Sequence, residues 1–355
     1  MRWIFLGAMW RIEMLWRGRG GKSEMDRFKD IGEFDFIDRI AAHAQRNRVL
    51  CGIGDDCAVM AAGQARVRLV TVDAMVEGVH FVPQAPPEGV GYKLLAASLS
   101  DVAAMGGKPT DAVVAVSASG DCDVGYVERI YNGLFACADR FDVAVVGGDT
   151  TRTSGALVLS LTLTGEMARD QVCYRSGAQV GDAVYVSGTL GDAAGGLGLV
   201  LGDVDLPGEV RTALLQRHYR PEPRLDLGQV LAETGAVTAM IDVSDGVASD
   251  LSHVCRQSGV SAVIRAATIP MSLAFVKFCE VSGEEKLDLA LTGGEDFELL
   301  FSVSHTQVDK VEALAEQYSI CRIGEVVAGD GRVMIEDEDG KRVLLEQLGY
   351  DHFGS

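Results

Sequence analysis

VRLVTVDAMV, residues 67–76, is a β-branched run that carries Asp73 near its end, and GYKLLAASLSDVAAMGG, residues 91–107, is an alanine- and leucine-rich stretch closed by two glycines. The first predicts a strand and the second a helix. The same alternation of strand and helix continues in both directions, which is an α/β or α+β pattern. FDVAVVGGDTTR (141–152) predicts a strand running into a turn, and ALVLSLTLTGE (156–166) predicts the strand that closes the first half. MARDQVCYRSGAQVGD (167–182) is more polar and irregular, and the domain boundary is placed there. DAVYVSGTLGDAAGGLGLVL (182–201) and TAMIDVSDGVASDLSHVC (238–255) each read as strand, turn and helix. The expected organisation is a pair of related α/β domains, 25–166 and 167–355, behind an extension at 1–24.

The extension differs in kind from the rest. It holds all three tryptophans, Trp3, Trp10 and Trp16, with five basic and two acidic residues, whereas the remaining chain has 27 basic against 49 acidic. A basic amphipathic membrane anchor is one reading. A start codon set too far upstream, with Met25 opening the regular sequence, is the one preferred here.

Over all 355 residues, 51 acidic side chains face 32 basic ones, a formal charge of −19. A nucleic acid or an anionic membrane is itself a polyanion, so association would work against the summed field. Phosphate substrates would need cations between them and the protein. No apolar run reaches the ~18 residues that span a bilayer. Eight scattered cysteines without a CxxC pair read as reduced thiols of a cytoplasmic protein.

The chemistry is written in acids placed where strands end and turns begin: GIGDD (52–56), TVDAMVEGVH (71–80), GGDTT (147–151), IDVSDG (241–246) and TGGEDFE (292–298). Asp73 and Asp242 each follow apolar strand residues, where alternation buries or half-buries them. An unpaired buried carboxylate is too costly to keep without a cation. On a helical wheel of ~100° per residue, Asp101 falls just off the edge of the apolar arc of 91–107, aimed at the packed face. Either an internal hydrogen bond, to a backbone amide or to Ser98, or a ligand role at a domain cleft would account for it. The donors on offer are all oxygen, with Thr71 and Thr150 beside the acids, and hard oxygen sets choose Mg²⁺ shared with substrate phosphates. GGD and GGED allow backbone amides to approach phosphate closely. There is no GxxxxGK[ST], SGTLGDAAGG (187–196) lacks the dinucleotide spacing, and no GxSxG, HExxH or kinase catalytic loop is present.

GIGDDCA, TVDAMVEGVHF, GYKLLAASLSDVAAMGG, VVGGDTTR, RSGAQVGD, IDVSDGVASDL, LTGGEDFELLF and the closing GYDHF together resemble thiamine-monophosphate kinase, in the superfamily of aminoimidazole ribonucleotide synthetase, from about Gly32 to Phe353. The resemblance implies ATP-dependent phosphorylation of thiamine monophosphate with several Mg²⁺ ions. It also implies two α/β domains and a homodimer in which strands of the N-terminal domains pair. By the same resemblance, the metal ligands are Asp56, Thr71, Val72 through its backbone, Asp73, Asp101, Asp149, Asp242 and Asp245. ATP meets Tyr131, Gly148, Asp149, Arg175 and Ser244, and thiamine phosphate meets His80, Glu295 and Tyr350. Asp73 and Asp242 act in catalysis through metal, with no general base. The alternatives are another ATP-dependent superfamily chemistry, as in selenophosphate synthetases or hydrogenase maturation, and a non-catalytic nucleotide-binding regulator.

Overall fold

Alternation decides the first sheet. Val67, Leu69, Thr71 and Met75 are buried while Arg66, Arg68, Val72 and Ala74 are exposed, so one face of the strand Arg66–Val76 looks into a core and the other does not. The computed structural model describes Glu33, Phe36, Ile37, Ile40, Ala41 and residues 49–345. The described residues from Ala41 onward form one compact unit, and the four before it, all helical, belong to a second. The readings of 1–24 and of Tyr350 lie outside the described residues.

Six strands make the first sheet: β1 (Val49–Cys51), β2 (Ala58–Ala61), β3 (Arg66–Val76), β4 (Lys108–Ala118), β5 (Ala144–Arg152) and β6 (Val158–Ala168), ordered β1-β2-β3-β6-β4-β5. Only β4 and β5 pair in parallel. β5 does not turn at its double glycine as the sequence led us to expect but runs through to Arg152. A Cβ at Gly148 would stand 2.0 Å from the Val114 carbonyl oxygen, so glycine is what lets β5 lie this close to β4.

Two helices serve this sheet, α1 (Pro87–Ala104) and α2 (Val124–Phe141), and they pack on each other. α1 starts with proline in its first turn, where a missing amide costs nothing, and ends before Gly106, whose φ of 76° suits glycine. Leu94, Leu95, Leu99 and Val102 are fully buried. Each contributes about 1.5–3 kcal/mol by leaving water.

The second sheet contains β7 (Ala183–Ser187), β8 (Val237–Asp242), β9 (Ser261–Arg265), β10 (Leu299–Val303), β11 (Ile320–Val327), β12 (Val333–Glu336) and β13 (Arg342–Leu344), ordered β13-β12-β9-β11-β7-β10-β8. Its helices are α3 (Asp192–Leu201), α4 (Gly208–Tyr219), α5 (Leu225–Thr234), α6 (Val247–Ser258), α7 (Leu273–Ser282), α8 (Lys286–Thr292), α9 (Val308–Glu312) and α10 (Ala315–Tyr318). β7 and β10 are buried at every residue, which requires cover on both faces. One core supplies α3, α6 and α7 on one side. The other core is continuous with the first sheet: Tyr185, Met240, Leu299 and Phe301 join Leu94, Leu99 and Leu231 in a single cluster. α1 therefore lies between the two sheets, touching β3 on one side and β8 on the other. Helices packed on sheets in two successive βα-rich halves agree with the expected fold.

Candidate active site

Period-two alternation sends Thr71 and Asp73 from β3 toward α1, and α1 answers with Ser98, Ser100 and Asp101. The Thr71 hydroxyl donates to an Asp101 carboxylate oxygen in a very short contact. Ser98 Oγ donates to Asp73 at 2.5 Å and Ser100 Oγ donates to Asp242 at 2.7 Å. The internal partner of Asp101 is thus Thr71, and Ser98 serves the neighbouring acid instead. Asp242 enters from the end of β8, and Asp56 from the loop between β1 and β2.

Asp56, Asp101 and Asp242 each offer a carboxylate oxygen within 4.8 Å of the other two. Asp56 and Asp242 are buried, and Asp56 Oδ2 has no hydrogen-bond partner although its other oxygen accepts from the Arg175 guanidinium at 2.9 Å. Burial first, then the charge of Asp56, pushes the Asp242 carboxyl up to about 8. Burial and Asp73 hold Asp101 well above the carboxylate range, and burial raises Asp73 and Asp56 as well. Carboxylates crowded out of water with an orphaned buried oxygen fit a hard divalent cation, and a donor set made only of oxygen fits Mg²⁺.

The other expected residues fall around this centre. The turn after β8 is held by Asp250, whose carboxylate accepts from the amides of Ser244 at 3.1 Å and Asp245 at 3.2 Å. Gly246 has φ 104° and a Cβ there would meet the backbone of Thr292 at 2.9 Å, so the SDG turn and the GGED loop interlock. Residues 295–298 then pair with that turn: the Glu295 amide donates to the Ser244 carbonyl at 2.8 Å and the Phe297 amide to the Val243 carbonyl at 2.9 Å. Glu295 sits at φ 66° and Phe297 at 51°, the left-handed region that costs a non-glycine residue of order 1–3 kcal/mol. Lys93, buried on α1, donates to Glu295 Oε2 at 2.7 Å. Burial raises the Glu295 carboxyl, but the charge and hydrogen bond of Lys93 together with the neighbouring His218 bring the group below its ordinary value. The Val76 amide donates to His80 Nδ1 at 3.1 Å, which places the ring proton on Nε2.

Some expected residues are not drawn in. Val72 points to the outer face of the sheet, 64% exposed, so only its backbone can face the centre. Asp73 lies in a cross-strand row with Leu161, Val114 and Gly148, three strand spacings along the sheet from β5, or about 14 Å. Asp149 is exposed on that far edge, in register with Ala115 rather than with the buried acids. Tyr131 packs its ring 5.8 Å from that of Phe135 along α2.

Lys93, Ser100, Asp250 and His218 were not singled out from the sequence. Lys93 alone carried a signal, as the one cation in an 18-residue helix that is otherwise mostly apolar. The partners of Ser100 and His218 are fixed by tertiary contacts with no local pattern, whereas Asp250 serves the turn five and six residues before it.

Residues 54–167 match the N-terminal domain, and residues 179–336 the C-terminal domain, of AIR synthase related proteins. The thiamine-monophosphate kinase of Salmonella typhimurium is 36% identical over 331 residues, spanning 91% of this chain and 99% of the relative. That of Aquifex aeolicus is 36% identical over 327 residues, spanning 92% and 100%. The chain belongs to the thiamine-monophosphate kinase family of AIR synthase-related proteins. The solved structure of AaThiL complexed with AMPPCP and TMP superimposes with a TM-score of 0.82 at 35% identity, covering 93% of this chain and all of that one. The two-domain AIR synthase-type fold expected from the resemblance is therefore the one observed. Among the described residues no helix is long and apolar enough to cross a membrane.

Proposed function

We propose that this chain transfers the γ-phosphoryl group of ATP in line onto the phosphate of thiamine monophosphate, giving thiamine diphosphate and ADP. The observation that carries this reading is the carboxylate centre of Asp56, Asp101 and Asp242, in a chain that matches thiamine-monophosphate kinases over nearly their whole length. Asp56, Thr71, the Val72 carbonyl, Asp73, Asp101, Asp242 and Asp245 would hold several Mg²⁺ ions, with Asp149 added at the sheet edge. Bound there, Mg²⁺ supplies charge neutralisation and alignment of the two phosphate groups.

The chain's own residues do the rest. A phosphate monoester has a second pKa near ~6, so the acceptor is mostly a dianion at neutral pH and needs no general base. His80, with its proton fixed on Nε2 by the Val76 amide, is a donor suited to an acceptor phosphate oxygen. Glu295, kept ionised by Lys93, offers a negative charge to the cationic thiazolium, and Tyr350 offers a ring face to the same cation. Tyr131, the Gly148–Asp149 edge, Arg175 and Ser244 would receive ATP.

The functional unit in this reading is a cytoplasmic homodimer built from domains 25–166 and 167–355. The outer face of the first sheet supports the dimer: Val72 on β3, Val113 on β4 and Val146 on β5 stand 64%, 42% and 62% exposed, with β6 between the first two, an apolar surface of the kind that a second copy covers. Incubation of the purified protein with ATP and thiamine monophosphate should yield thiamine diphosphate with Mg²⁺ and none in excess EDTA. Full turnover in EDTA would remove the metal from the reaction, and hydrolysis of ATP without any phosphorylated thiamine product would point to another superfamily chemistry.

A further inference from the structure

One stripe of α1 reaches the second half of the chain at two places. Ser100 donates to Asp242 in the carboxylate centre, and Lys93 donates to Glu295 in the GGED loop. The two residues are seven apart, two turns of helix, so they share a face and stand about 10 Å apart along the axis. Lys93 is 3% exposed, and among the described residues its ammonium otherwise meets His218 Nδ1, at 3.5 Å. Burial and the adjacent Lys93 lower His218 to about 4. At neutral pH the histidine is therefore uncharged, and among the described residues Glu295 is the anion paired with this buried lysine.

An ammonium taken out of water on an apolar helix is expensive, and so is a glutamate held at φ 66°. The Lys93–Glu295 contact offsets the buried ammonium, His218 Nδ1 lies 3.6 Å from the same Glu295 oxygen, and the Glu295 side chain keeps 30% of its surface exposed. On the reading that Glu295 meets the thiamine moiety, we propose that Lys93 is a positioning residue for the acceptor. It fixes Glu295 in its left-handed conformation and, through the rigid span of α1 from Lys93 to Ser100, sets the distance between the acceptor-binding carboxylate and the metal carboxylates.

The test compares full-length wild type, Lys93→Met, Glu295→Gln and the double variant in steady-state assays with ATP and thiamine monophosphate at saturating Mg²⁺. Lys93→Met should raise KM for thiamine monophosphate at least 10-fold and leave KM for ATP within 2-fold. The double variant should be no worse than Glu295→Gln alone, because a residue acting through Glu295 has nothing left to position. If Lys93→Met does not fold, Lys93→Arg keeps the charge and displaces it, and a selective rise in KM for thiamine monophosphate is again expected. Equal rises in both KM values, full additivity in the double variant, or an unaltered KM in Lys93→Arg would overturn the positioning role. A wild-type enzyme that makes no thiamine diphosphate would refute the functional reading, and this inference with it, before any variant is compared.

Discussion

Asp242→Asn separates what the carboxylate centre does for function from what it does to stability. The substitution keeps shape and keeps an oxygen to accept from Ser100, but removes one charge from a cluster in which carboxylate oxygens lie within 4.8 Å of one another. Two unit charges at that spacing repel by roughly 3–4 kcal/mol at an effective dielectric of about 20. The titration leads to a similar figure. A carboxyl of ordinary value 3.8 pushed up to about 8 holds its proton in the folded state after the unfolded chain has lost its own. Between pH 4 and 8 the folded state binds the extra proton, so stability falls as pH rises and levels off above about 8. At pH 7 the cost amounts to about 4 kcal/mol.

Asparagine removes that cost and adds a buried amide donor, for which neighbouring carboxylates are acceptors, so a net gain of about 2 kcal/mol is expected in EDTA. That corresponds to a Tm higher by about 3 °C at pH 8 and by almost nothing at pH 4. Activity should move the other way, with kcat down by about 10²-fold or more, as when a transition-state charge stabiliser is lost. Stabilisation of the wild type by Mg²⁺ should shrink in the variant. Thermal melts across pH in EDTA and steady-state kinetics with Mg²⁺ read both effects. A variant that is less stable than wild type in EDTA at pH 8, or one that keeps kcat within 10-fold, would refute the view that these acids are held at a stability cost for a cation.

Glu298 is fully buried between the guanidinium groups of Arg217 (2.6 Å) and Arg224, with Ser187 donating at 2.6 Å. Glu298→Gln should cost about 3–5 kcal/mol, and a Tm within 2 °C of wild type would contradict this. Burial raises that carboxyl, yet Arg224 and Arg217 bring it below its ordinary 4.5. Its stabilisation is therefore complete above about pH 4.5 and disappears as pH falls through the lower folded value, which melts between pH 3 and 6 should show. Val113→Glu, on the exposed face of the first sheet, should turn a dimer into a monomer by light scattering; an unaltered mass would move the interface elsewhere. Tyr350→Ala should raise KM for thiamine monophosphate by roughly 2- to 30-fold with KM for ATP unmoved, and equal effects on both would make the tyrosine a packing residue.

The strands and α1 were legible because their signals are local: alternation in 67–76, a wheel in 91–107, glycines at the ends. Asp101 was found on that wheel, since the edge of an apolar arc is a statement about one helix. Its partner was not, because the choice between Ser98 and Thr71 depends on how β3 is set against α1. β5 was misread at Gly147 and Gly148 for a related reason. Paired glycines signal a turn when the chain is considered alone, and they signal close strand pairing only when Val114 of β4 is in place. Lys93 and Glu295 are separated by 202 positions, and no spacing rule connects them.

The disposition of cations near the site explains how so acidic a chain can work on phosphates. Arg175 is held by Asp56, Lys93 by Glu295, and Arg217 and Arg224 by Glu298. Each of these basic groups is partly or wholly neutralised by an acid that is buried or, for Glu295, half-buried, so the protein's own positive charge organises its loops before any phosphate arrives. The acids of the centre are in the opposite condition. They crowd one another, and among the described residues Asp56 Oδ2 has no hydrogen-bond partner. A permanent cation in that place, such as a lysine, would make the folded chain more stable. It would also occupy the oxygens for good, whereas a divalent ion arrives with its nucleotide and can bind protein and phosphate at once. On the proposed reading, net charge therefore excludes phosphate as a ligand for the bare protein without excluding it for the protein with its ions, and relief of the crowding among Asp56, Asp73, Asp101 and Asp242 would favour the binding of those ions.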